Sequence, residues 1–84
     1  MRDILDELVL LLEQNGIAVR CEAGGGAGLC VFKGRTVVFI DNAAPTAEMA
    51  EICGRAVCQN IDIENIYIKP QTREFLEKHS NQTD

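Results

Sequence analysis

The chain has 84 residues, a net charge of −5 and 46% hydrophobic residues, which is the size and make-up of one small globular domain. Its eight basic residues are scattered, so neither a nucleic-acid backbone nor an anionic membrane surface is expected as a partner. No positive segment precedes an apolar stretch, and the longest apolar run is Leu8 to Leu12, so neither a signal peptide nor a membrane span is expected.

Residues 3–15 carry a helical pattern. Ile4, Leu5, Leu8, Leu11 and Leu12 form the apolar stripe, with Val9 at its edge. Asp3 is placed to cap the helix, and Asp6 and Glu7 suit the positive end of its dipole. Asn15-Gly16 ends it. Gly16 fits the left-handed position after the last turn, with Ile17 folding back onto Leu12. Leu10 falls off the stripe and suggests a wider apolar face that meets a second subunit.

Residues 17–22 alternate as a strand, with Ile17, Val19 and Cys21 on one side and Ala18, Arg20 and Glu22 on the other. A glycine-rich stretch follows. Leu29–Phe32 and Thr36–Ile40 read as strands around Lys33-Gly34-Arg35, where Gly34 supplies the positive φ of a tight hairpin. The run Val37-Val38-Phe39-Ile40 is apolar on both faces and predicts a covered, central strand. Asp41 to Pro45 forms a turn. A second helix spans about 46–58, with a stripe of Met49, Ile52, Cys53, Ala56 and Val57. Ile61 to Ile68 reads as extended or loop-like. Pro70 opens a last helix from Gln71 to about His79, anchored by Phe75 and Leu76, and residues 80–84 form a flexible tail. The expected fold is one α+β domain over residues 1–79. Its order is α-β-β-β-α, an extended piece and α, with helices packed on a small antiparallel three-stranded sheet.

The stretch Gly24-Gly-Gly-Ala-Gly28 is not a phosphate loop. A P-loop requires GxxxxGK with Ser or Thr, and a dinucleotide fingerprint requires glycines leading into a helix; here glycines join strand to strand. Gly25 and Gly26 are candidates for a loop that orders over a ligand or partner.

The four cysteines have the spacing C-x8-C-x22-C-x4-C, without the tight pairs of zinc ribbons or iron–sulfur sites. Cys53 and Cys58 fall on nearly opposite sides of a straight helix. In a cytoplasmic protein all four are expected as reduced, largely structural thiols. Cys30 and Cys58 are the candidates for a reactive thiol, with Arg55 the one visible group to lower a thiol pKa. His79, the single histidine, suits the negative end of its helix. Asp41, at the end of the central strand, suits a turn or a functional strand end.

The run from Gly28 to Cys58, with its basic hairpin, strand ending in Asp41-Asn42 and Pro-led helix, resembles the front half of the HExxH metallopeptidases that cleave phage repressors. That resemblance covers about residues 17–58. A resemblance over residues 1–79 is to a small bacterial family of domains of unknown function. It is carried further by Ile66-Tyr67-Ile68-Lys69-Pro70 and Arg73-Glu74-Phe75-Leu76. In the peptidases the helix bears two zinc-binding histidines and a catalytic glutamate. This chain has Gly54-Arg55-Ala56-Val57-Cys58 there, so the resemblance implies a non-catalytic relative whose helix keeps a polar face of Glu51, Gly54, Arg55 and Cys58.

The expected function is that of a non-catalytic protein-interaction module, self-associating as a homodimer through the first helix or engaging a protein partner. No metal or cofactor is expected. The alternative is a thiol- or metal-dependent function using Cys30, Cys53 or Cys58, and a third reading is an acidic ligand held near the glycine stretch and Arg55. The candidate contact residues are Gly25, Gly26, Cys30, Asp41, Arg55 and Cys58.

Overall fold

The computed structural model describes residues 2–23 and 28–80. Helix α1 spans Arg2–Gln14, strand β1 Ala18–Glu22, β2 Gly28–Phe32, β3 Arg35–Asp41, helix α2 Thr46–Asn60 and helix α3 Pro70–Ser80, with a 3-10 turn at Ile63–Asn65 between the last two helices. The α+β class, three helices with a three-stranded sheet, matches the expectation. The element order differs from the expectation after α2, where the segment expected as extended or loop-like holds a 3-10 turn, and α3 takes in Ser80, the first residue of the expected tail.

The ends of α1 follow from local chemistry. The helix begins at Arg2, so Asp3 lies inside the first turn instead of capping it. Gly16 takes φ +80°, its N–H donates to the Glu13 carbonyl at 3.1 Å, and the Ile17 N–H donates to the Leu12 carbonyl at 2.9 Å. This pair of bonds is the Schellman closure, and its apolar partners, Ile17 and Leu12, are both buried. The β2–β3 hairpin turns on Lys33 at φ 52° and Gly34 at φ 78°, two consecutive left-handed residues as a type I′ turn demands.

The sheet corrects the sequence reading. Its order is β1-β3-β2, with β3 parallel to β1 and antiparallel to β2, so it is mixed rather than antiparallel. Consecutive strands β1 and β2 occupy opposite edges. Two strand spacings, roughly 10 Å, therefore separate the chain where it leaves β1 from where it enters β2. Nothing in the local alternation of either strand encodes which edge it takes.

All three helices share one core beneath the Val38 and Ile40 side of β3. Leu5, Leu8, Leu11 and Leu12 of α1 meet Ala50, Cys53, Ala56 and Val57 of α2 and Phe75 and Leu76 of α3. Helix α1 packs on β1 and α2 on β3, while α3 rests on α1 and α2. Strand β3 is central, as expected, and buried residues stand on both of its sides: Val38 and Ile40 in the helical core, Val37 on the other. Val37, only 5% exposed, lies outside the shared core and is flanked by Ala18 of β1 and Cys30 of β2. Among the described residues no helix is long and apolar enough to cross a membrane.

One polar contact ties the first helix to the last. The buried Thr72 hydroxyl donates to Glu7 Oε1, and the Lys69 backbone N–H donates to Glu7 Oε2 at 3.4 Å. Glu7 thus serves the exposed donors at the start of α3 from across the molecule. Arg73 holds the preceding segment: its Nη2 donates to the carbonyls of Ile63 at 2.8 Å and Ile66 at 3.3 Å. Removing Glu7 strands a fully buried hydroxyl. Glu7→Ala should cost about 1–3 kcal/mol in urea unfolding. Adding Thr72→Val to it should cost much less than Thr72→Val alone costs the native chain. Additive losses in that double-mutant cycle would dissociate Glu7 from Thr72.

Candidate functional site

The structure separates the sequence-derived candidates. Gly25 and Gly26 lie outside the described residues. Cys30 is exposed on β2 and pairs with Val37, which puts both on the side of the sheet away from the helices. Asp41 ends β3 as a turn residue: its Oδ1 accepts from the Ala43 N–H at 2.9 Å and its carbonyl from the Ala44 N–H at 3.0 Å. Arg55 and Cys58 stand on α2, on the helical side. The described candidates therefore form no single cluster.

The polar face of α2 that the peptidase resemblance implies is covered in part by α3. Gly54 is buried, and a Cβ built on it would lie 3.1 Å from Phe75 Cε2 and 3.5 Å from Leu76 Cδ2. Glycine is there because two helices approach closely. One turn on, the Cys58 thiol is half-buried and points at the Leu76 carbonyl, 4.0 Å away. Only Glu51 and Arg55 of that face are exposed.

Burial also sets the thiol chemistry. Cys53 is fully buried, and burial first, with the charge of Cys21 second, pushes its pKa from 9.0 up to about 11. Burial likewise pushes Cys58 up. Both remain protonated at neutral pH, the form that is neither nucleophile nor metal ligand. Among the described residues no three His, Cys, Asp or Glu side chains gather as a metal ion requires. An open depression of about 340 Å³ lies between α1 and the start of α3, lined by Asp3, Asp6, Glu7, Leu10, Lys69 and Gln71. Its Glu7 is committed to Thr72 and Lys69.

The feature that sequence reasoning missed is the open edge of β2, a strand it did place. It lies at the margin of the helical layer, with Val31 75% exposed and Cys30 exposed on the other side of the sheet. Its outer edge pairs with no other strand among the described residues. The signal was present in the sequence: Gly28 to Phe32 contains no charged residue, whereas the other edge strand carries Arg20 and Glu22, 3.7 Å apart as an exposed ion pair. Leu10, the expected contact of the first helix, is 53% exposed and stands among the polar residues Asp3, Asp6, Glu7, Lys69 and Gln71. No protein-family model, curated protein or solved structure matches the chain.

The Cys53 shift fixes a pH dependence. Below about pH 9 folded and unfolded chains both hold this proton, so the group contributes no slope. Between pH 9 and about 11 only the unfolded chain ionises, so stability falls as pH rises, by on the order of 2 kcal/mol. Urea unfolding across that window should show the fall, and Cys53→Ala should flatten it. An unchanged slope in the variant would assign the fall to other groups. Iodoacetamide should label Cys21 and Cys30 first, Cys58 more slowly and Cys53 only on unfolding.

Proposed function

We propose that the chain is a non-catalytic protein-interaction module whose working surface is the outer edge of β2. The state of that strand carries the reading. It lies beyond the helices that pack on β1 and β3, its outer backbone groups have no strand partner among the described residues, and no charge guards it. Unguarded edges pair with other strands. Proteins that do not use such an edge protect it with lysine, proline, a bulge or cover. Strand addition draws affinity from main-chain hydrogen bonds and specificity from alternate side chains, which here are Val31 on one side and Cys30 on the other. The raised pKa values of Cys53 and Cys58 weigh against a thiol function centred on either. The compact helical side acts as scaffold.

The type I′ turn makes Phe32 and Arg35 a hydrogen-bonded pair, and alternation from there points the backbone groups of residues 28, 30 and 32 toward β3. Those of residues 29 and 31 point outward. Val31→Pro therefore removes an outward donor and leaves the ladder to β3 whole. It should keep stability within about 1 kcal/mol of the native chain, because proline suits an edge strand whose N–H faces solvent. Benzoylphenylalanine at position 30 should form adducts in extract of the source cells, and Val31→Pro should abolish them. The same group at position 55 on α2 should form none. Adducts at position 30 that survive Val31→Pro, or none there at all, would overturn the reading.

A further inference from the structure

We infer that the strand that occupies this edge is β2 of a second copy, paired antiparallel about a two-fold axis beside Cys30. The inference rests on reading β2 as an interaction edge and names its partner. Three observations support it. First, the two edges of the sheet are unlike: β1 bears Arg20 and Glu22, and β2 bears no charge. In a chain of net charge −5, two copies repel over most of their surfaces, and the uncharged strand is where backbones approach at least cost.

Second, the hydrogen-bond phase of β2 fits itself. Outward groups belong to residues 29 and 31, which lie symmetrically about Cys30, the central residue of a five-residue strand. Laid antiparallel on its copy, Leu29 faces Val31 of the second copy and Val31 faces Leu29. Both are then pairs that exchange N–H and C=O bonds in both directions. A register shifted by one residue sets outward groups against inward ones and loses these bonds.

Third, the two Cys30 residues become a directly opposed, non-hydrogen-bonded pair, with Cα atoms about 4.5 Å apart. Each thiol is exposed on the same side of the joined sheet, away from the helices. The resulting six-stranded sheet keeps both helical layers on one side. It covers Val31, which the single chain leaves 75% exposed. The contact is one strand wide, well under the roughly 1,200 Å² of a standard interface, so the dimer dissociates on dilution.

Cysteine cross-linking of the purified, reduced protein tests this geometry. Copper(II)–phenanthroline takes one electron from each of two thiolates, their protons pass to buffer, and the sulfur atoms join. The Cα spacing of the opposed pair lies within the range of about 4.4–6.8 Å that a disulfide accepts. A Cys30–Cys30 dimer should form at least roughly tenfold faster than a Cys21–Cys21 dimer, since pairing raises the effective thiol concentration. Val31→Pro should remove that advantage while leaving iodoacetamide labelling of Cys30 unchanged. Sedimentation from about 10 μM to about 1 mM should show a monomer–dimer equilibrium, abolished by Val31→Pro and retained by Leu10→Glu. A monomer throughout, or linkage no faster at Cys30 than at Cys21, would overturn the second copy as partner. Position-30 adducts of another mass in cell extract would then still uphold the interaction edge. A dimer lost with Leu10→Glu and indifferent to Val31→Pro would move the contact to α1 and overturn this assignment.

Discussion

Among the described residues, strand β3 is the one strand bonded along both sides, and the positions of the other elements follow from it. Its seven residues run parallel to β1 and antiparallel to β2. Alternation then divides its side chains, with Val38 and Ile40 entering the helical core and Val37 and Phe39 facing the other way. Its end sets the direction of α2: the Asn42 N–H donates to the Glu22 carbonyl at 3.1 Å, extending the bond to β1, and the Asp41 turn then reverses the chain beneath the sheet. A break in β3 would detach both edges and the strand's core contacts together, so the sheet has no independent half.

Features specified within a few residues were legible in the sequence. Gly16 and Ile17 announced the end of α1, and Lys33-Gly34 announced the hairpin, because each depends on a backbone angle that few residues adopt. The parallel pairing of β1 with β3 was not legible. Alternating apolar residues specify a face and carry no information about the neighbouring strand. The Glu7–Thr72 contact spans 65 positions, and Glu7 in the sequence looked like ordinary support for a helix dipole. The Val37-Val38-Phe39-Ile40 run suggested cover on both faces. In the fold Val37 is buried without joining the helical core, between Ala18 and Cys30 on the flanking strands.

The candidate site was legible only as separate residues. Cys30 and Arg55 were both singled out, and the fold puts them on opposite sides of the sheet. Gly54 was placed on a polar face by the peptidase resemblance, yet it is a point where α2 and α3 approach closely. A glycine in mid-helix costs about 1 kcal/mol relative to alanine, so a close helix contact is its more economical explanation. Cys53, a small apolar residue between two helices and the sheet, is part of the packing for the same reason.

Small size and a bare edge bear on each other. An 84-residue chain buries a smaller fraction of its surface than a larger domain, and its three strands leave two of them at edges. Charge is the least demanding protection for an edge, since it requires no change of fold. This chain has that protection on β1, in the Arg20–Glu22 pair, so the composition able to provide it was available. Its absence from β2, five residues long and ending in a well-formed type I′ turn, is thus a property of that strand and not of the chain at large. An edge left uncharged, with Val31 exposed on one face and Cys30 on the other, and symmetric in its outward hydrogen-bonding groups is suited to a strand of its own kind, and each added strand moves β2 from the rim of the sheet toward its interior.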